Sequence, residues 1–178
     1  MPQLMALSIS IAVLGGIWAY LALVPLAGFV LVWAGFIAWG SFFHGGGDNA
    51  ALTKTIAGTI YGAIIAWIAL FLITQTSIGA IGEFRAPVIV GVTVFFLVIV
   101  ASVDALSSVP ANVYGYAATV AYSLHQPSSA ETGTGPLQNL LSLNFENPLA
   151  LLIVSFVIGA LFGFVSGKLA GVLTKGEG

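Results

Sequence analysis

The chain has 178 residues, of which 59% are hydrophobic and 6% are charged, whereas a soluble domain carries about 25% charged residues. This composition excludes a water-soluble surface, and the four basic residues are too few and too scattered for nucleic-acid binding. The absence of cysteine excludes disulfides, thiolate nucleophiles and thiolate metal sites. We therefore expect membrane lipid to surround the chain.

Four apolar stretches have the length of about 20 residues that a membrane-spanning helix needs. The first lacks the basic start of a secretory signal peptide, and we interpret it as a retained span. Two shorter apolar segments bring the total to about six hydrophobic helices. The sequence thus predicts an all-α integral membrane protein with a single membrane domain over residues 1–178. The four long stretches are 4–23, 51–75, 87–108 and 148–173.

The two shorter segments, Pro25–Phe43 and Pro110–Leu124, each open on a proline, a residue that suits the first turn of a helix. As a helix the second would reach only about 22 Å, which is less than the hydrocarbon layer of about 30 Å. We predict two short Pro-led helices that are tilted or re-entrant.

The two halves of the chain resemble each other. Setting Gly35 on Gly115 aligns GFIAWGSFFHGG with GYAATVAYSLHQ, and Gly62 in the following span matches Gly159. Because each copy holds three elements, an odd number, the second copy would enter the membrane inverted. Inverted repeats build many transporters, with the solute path near the repeat interface. The predicted repeats cover about 4–75 and 87–173.

Charge placement predicts the orientation. Lys54, Lys168 and Lys175 fall on the side of the two termini, Arg85 falls on the other side, and the long outer loop 125–147 has no basic residue. By the positive-inside rule both termini are cytoplasmic. Within that loop, residues 137–145 form either an interfacial helix or a plain connector.

Glycine recurs every fourth residue in the last span and lines one helix face. Such faces let another backbone approach closely in a membrane, which favours tight helix packing within the chain or in a homo-oligomer. Pore lining is the less favoured alternative. The predicted packing residues are Gly58, Gly62, Gly159, Gly163, Gly167 and Gly171.

The candidate solute path runs between the two Pro-led segments. Asp104 is either a pathway acid, the default for an intramembrane carboxylate, or an interfacial or capping residue. The histidines either guard the two mouths, where imidazole titrates near physiological pH, or are ordinary boundary residues. Asp48 or Asn49 is expected to cap the third helix. The candidate path residues are Gly35, Trp39, Phe42, His44, Asp104, Asn112, Gly115, Tyr116, Thr119, Tyr122 and His125.

Aromatic rings and small polar side chains in the short segments favour a small uncharged polar solute such as urea, an amide or ammonia. Ion selectivity would call for rings of carbonyls or charges. No nucleophile, base and orienting acid occur together, so we predict neither an enzyme nor a cofactor or metal site. The alternatives are a proton-coupled transporter that uses Asp104 and a non-transporting scaffold or accessory subunit.

The stretches WAGFIAWGSFFHGGG and VPANVYGYAATVAY resemble the two signature stretches of the YcdZ-like family of small uncharacterised bacterial inner-membrane proteins. This resemblance implies a bacterial cytoplasmic membrane and supplies no substrate. More loosely, two short helices in a repeated membrane domain resemble urea transporters and aquaporins. The aquaporin motif itself is missing, because the chain reads Pro110-Ala111-Asn112 instead of Asn-Pro-Ala.

Overall fold

The computed structural model describes residues 2–76, 79–127 and 133–175. Within these ranges the chain forms six α-helices, joined by turns and short 3₁₀ segments. Four helical segments of the described ranges are long and apolar enough to cross a membrane, so the chain is an all-α, multi-pass membrane protein. The helices are α1 Gln3–Leu23, α2 Val32–His44, α3 Asn49–Gln75, α4 Arg85–Ile99, α5 Val109–His125 and α6 Pro148–Lys175.

The segment between α1 and α2 is not helical. The helix expected from Pro25 begins only at Val32, so the prediction of a Pro-led α2 is wrong. Gly28 takes a φ of +84° within this turn. Hydrogen bonds from outside the segment hold it in place: the Leu31 amide donates to Ser155 Oγ at 2.9 Å. We call residues 24–31 the first break.

A second break, residues 100–108, separates α4 from α5 and consists of two short 3₁₀ turns and their flanks. Here the proline prediction is correct, because Pro110 lies in the first turn of α5. Ser108 caps that helix by accepting from the Ala111 amide at 3.4 Å. Asn112 Nδ2 donates to the carbonyls of Leu97 at 3.2 Å and Leu106 at 3.0 Å, so one fully buried side chain of α5 ties the end of α4 and the break itself together.

The other helix boundaries follow short-range signals. Asp48 caps α3 by accepting from the Ala51 amide at 2.7 Å, and α6 starts directly after Asn147. The connector alternative for residues 137–145 is correct, because turns and not a helix cover that stretch. The side chain of Asn147 fixes these turns by donating to two of their carbonyls.

The helices pack in pairs that exchange partners between the two predicted repeats. The short helix α2 packs on α6, and the short helix α5 packs on α3. In the same way α1 covers α6, α4 covers α3, and α3 contacts α6 at the centre. A two-fold repeat predicts this arrangement. The inversion of the two copies across a membrane stays a prediction.

Glycine makes the two exchanged pairs unusually close. A Cβ atom on Gly159 of α6 would lie 2.1 Å from the carbonyl oxygen of Gly35 in α2. In the other pair, a Cβ atom on Gly62 would lie 2.0 Å from the carbonyl oxygen of Asn112, and one on Gly115 2.1 Å from that of Thr59. The backbones of the paired helices are therefore in direct contact, as small residues allow in membrane helices.

Candidate functional site

The two short helices lie side by side, and an open groove of about 370 Å³ runs between them, with Phe36, Gly40 and Ala117 exposed along it. We call the contact between α2 and α5 the seam, and this space the seam cavity. Its walls are mostly apolar, and its side-chain polar groups are the hydroxyls of Ser41 and Tyr114. No charged side chain lines it. The lining residues are Phe36, Ile37, Gly40, Ser41, Tyr114, Ala117 and Ala118.

One end of the seam is bridged by hydrogen bonds. His44 Nδ1 lies 3.2 Å from the Tyr114 hydroxyl oxygen, and nearby the hydroxyls of Ser41 and Thr55 lie 3.4 Å apart. His44 was a candidate from the sequence, whereas Tyr114 was not. The sequence could have pointed to Tyr114 through its spacing. It precedes Ala117 by three residues and Ala118 by four, which places the three side chains on one face of α5.

A separate outer pocket of about 270 Å³ lies at the other end of the seam. The pocket lies where the first break, the end of α5 and the outer loop meet. The candidate Tyr122 lines it, together with the side chains of Gln126 and Glu146. The Trp33 ring, 6.4 Å from the Tyr122 ring between centroids, stands beside it. This end therefore carries the polar side chains of Gln126 and Glu146.

The candidates Gly35, Trp39 and Phe42 lie in the contact between α2 and α6. Trp39 and Phe42 are buried, and the Trp39 indole donates to Ser166 Oγ at 3.1 Å. Phe42 packs beside Gly163, whose added Cβ would lie 3.1 Å from the Phe42 ring. These side chains hold the two helices together and do not line the seam cavity.

The candidates Asn112, Gly115, Tyr116 and Thr119 are all buried on α5. The Thr119 hydroxyl donates to the carbonyl of Gly115 within the helix at 2.8 Å. The Tyr116 hydroxyl lies 3.2 Å from Thr93 Oγ1 of α4. The four residues therefore fix α5 against α3, α4 and the second break.

Asp104 and His125 are exposed. Asp104 has a side chain that is 95% exposed and lies 3.3 Å from the Lys54 ammonium nitrogen, which agrees with an interfacial residue. His125 Nδ1 lies 3.1 Å from the Ala121 carbonyl of its own helix. Across the described ranges, no three His, Asp or Glu side chains lie close enough together to hold a metal ion.

The sequence profile of one family, described as a protein of unknown function (DUF1097), matches residues 8–171. The chain belongs to the DUF1097 family. No curated protein and no solved structure matches it. Membership of DUF1097 agrees with the expected small uncharacterised family, and the match covers the seam, both breaks and all six helices except the start of α1 and the end of α6. The narrower resemblances to YcdZ-like proteins and to urea transporters stay predictions.

Proposed function

We propose that this DUF1097 protein is a channel or facilitator for a small uncharged polar solute of the urea, amide or ammonia class, which passes along the seam. The seam cavity carries the proposal. Its volume of about 370 Å³ falls in the range of about 300–1,000 Å³ that is usual for small-molecule sites. It lies between the two short helices, where the repeat predicts a path.

The chemistry of the cavity favours a neutral solute. A bare ion would need a ring of carbonyls or charged side chains to replace its hydration shell, and the lining offers neither. The hydroxyls of Ser41 and Tyr114 can instead exchange hydrogen bonds with an amide or an amine. The rest of the wall is apolar and offers the solute no further hydrogen bonds. The solute is therefore bound weakly and can leave.

The two breaks give independent support. Interrupted helices mark the sites of many transporters. Each break directly precedes one of the two helices that form the seam. Leu31 of the first break also lines the outer pocket.

The alternatives have less support. A proton-coupled transporter that uses Asp104 would need this carboxylate in the path, but it pairs with Lys54 outside the cavity. A non-transporting scaffold does not account for the cavity, and we propose no enzymatic role. A homo-oligomer in a bacterial inner membrane, with cytoplasmic termini, remains part of the proposal. Its contacts would have to avoid the faces around Gly62 and Gly159, which are occupied within the chain.

Stopped-flow uptake into proteoliposomes tests the proposed function with urea, acetamide, ammonia, glycerol and water. We expect at least one of these solutes to enter faster than into protein-free vesicles. The variant Ala117→Trp, at an exposed position that lines the cavity, should bring that rate close to the protein-free level, because the indole fills the seam.

The matched control is Leu124→Trp, which places the same side chain on the same helix at an exposed position outside the cavity lining. Its uptake should equal that of the unchanged chain. The proposed function is wrong if every solute enters at the protein-free rate.

A further inference from the structure

The six helices divide into two groups that cut across the predicted repeats. The first body consists of α1, α2 and α6. The Gly35 and Gly159 backbones touch within it. The indole of Trp18 in α1 also donates to the Val32 carbonyl of α2 at 3.0 Å. A third tie is the bond from Trp39 to Ser166. Taking α2 away from α1 and α6 would break all three of these contacts.

The second body consists of α3, α4 and α5. Its α3–α5 contact is closed by Gly62 and Gly115, each against the backbone of the other helix. The Tyr61 hydroxyl of α3 donates to the Phe96 carbonyl of α4 at 2.9 Å. The contact between Thr93 and Tyr116 joins α4 to α5 at 3.2 Å. Each pair of helices in this body is therefore tied directly.

The two bodies meet mainly through apolar packing. Helix α3 packs on α6, and one buried cluster takes residues from both bodies, namely Ala34, Ala38, Ala63, Ala118, Leu152, Phe156 and Ala160. In the described ranges, the side-chain hydrogen bonds between helices of different bodies are the His44–Tyr114 and Ser41–Thr55 contacts. Both lie at the same end of the seam. The opposite end has the outer pocket, the ring contact between Trp33 and Tyr122, and a hydrogen bond from the Trp67 indole of α3 to the Leu140 carbonyl of the outer loop at 2.8 Å.

We infer that the two bodies tilt against each other about the α3–α6 contact, and that parting His44 from Tyr114 opens that end of the solute path. The inference rests on the proposed function, since it assigns the gate of the same path. Rigid-body rocking about a fixed site is the usual movement of repeat-built transporters. The structure corresponds to the state in which the His44 end is closed and the Tyr122 end is accessible.

Cross-linking tests the inference, because the chain has no native cysteine. The double variant His44→Cys/Tyr114→Cys is cross-linked in proteoliposomes by a short bis-methanethiosulfonate reagent, which forms a disulfide with each cysteine and releases two methanesulfinate ions. We expect the solute uptake rate to fall at least tenfold after cross-linking and to recover on reduction. The control pair Tyr61→Cys/Phe96→Cys lies inside the second body, and its cross-link should leave the uptake rate unchanged.

A single variant tests the same gate without a linker. His44→Phe removes the ring nitrogen that meets the Tyr114 hydroxyl, keeps an aromatic ring, and leaves the cavity lining unchanged. Because one hydrogen bond favours the closed state, its loss should raise the uptake rate about two- to tenfold.

The two hypotheses fail differently. If the cysteine variant transports equally fast with and without the cross-link, the inferred movement is wrong and the proposed function stands. If neither the unchanged chain nor His44→Phe transports any solute, both the proposed function and the inferred gate are wrong.

Discussion

At the scale of single residues, Gly62 is the position at which the fold most strictly requires glycine. In Gly62→Ala the new Cβ atom would lie 2.0 Å from the Asn112 carbonyl oxygen and 2.7 Å from the Tyr116 amide nitrogen. Both are backbone atoms, so rotating a side chain cannot relieve the clash, and α5 must move away from α3. We expect a loss of about 1–3 kcal/mol of stability, measured as a lower unfolding temperature in detergent by tryptophan fluorescence.

Gly91→Ala is the control for this prediction. Gly91 also lies within a helix, but nothing lies within 4 Å of its added Cβ atom. Alanine is the better helix former, so the control should unfold at the same temperature as the unchanged chain or slightly higher. Equal unfolding temperatures for the two variants would contradict the close α3–α5 contact.

At the scale of elements, local signals predict some boundaries and fail at others. Pro110 and Ser108 mark the start of α5 within one turn of sequence. The start of α2 carries no such signal, because the Leu31 amide is satisfied by Ser155, 124 positions away. The same limit applies to the seam: helical spacing groups Tyr114 with Ala117, but only tertiary packing brings His44 to it.

The first break depends on Trp18, whose indole N–H donates to the carbonyl of Val32 at 3.0 Å. Trp18→Phe removes this donor and keeps an aromatic ring in the buried position. A lost hydrogen bond of about 1 kcal/mol should let the segment 24–31 open about fivefold more often. We expect its backbone amides to exchange with deuterium correspondingly faster by mass spectrometry, with helix α3 unchanged.

Trp33→Phe is the matched control, because Trp33 begins the same helix α2 and its side chain is 37% exposed. Its exchange pattern over the first break should equal that of the unchanged chain. Faster exchange in both variants would mean that ring size, and not the donated hydrogen bond, holds the break.

At the scale of the whole molecule, composition alone predicts the class of fold, since a chain with 6% charged residues has no soluble surface to build. The pairing of helices is harder to predict. Glycine spacing shows that α3 and α6 each carry a close-packing face, but it does not say which helix fills that face. In the structure each of these faces is filled by a short helix from the other repeat. Each body therefore contains helices from both repeats.

Inversion of the two repeats makes a topological prediction for the whole chain. Helix α3 has 27 residues, about 40 Å, so its two ends lie on opposite sides of a hydrocarbon layer of about 30 Å. Asp48 and Asp104 belong to the Lys54 end, since Asp104 pairs with Lys54. Glu83 and Glu146 belong to the opposite side, the first after α3 and the second before α6.

Single cysteines at these four positions, in the cysteine-free chain, allow the topology to be measured with a membrane-impermeant maleimide. Right-side-out vesicles should label positions 83 and 146 only, and inverted vesicles positions 48 and 104 only. Labelling of 48 and 146 from the same side would contradict the inverted repeat. The seam would then lose its pseudo-symmetric position between two copies, and the cavity would have to be explained as a feature of one asymmetric bundle.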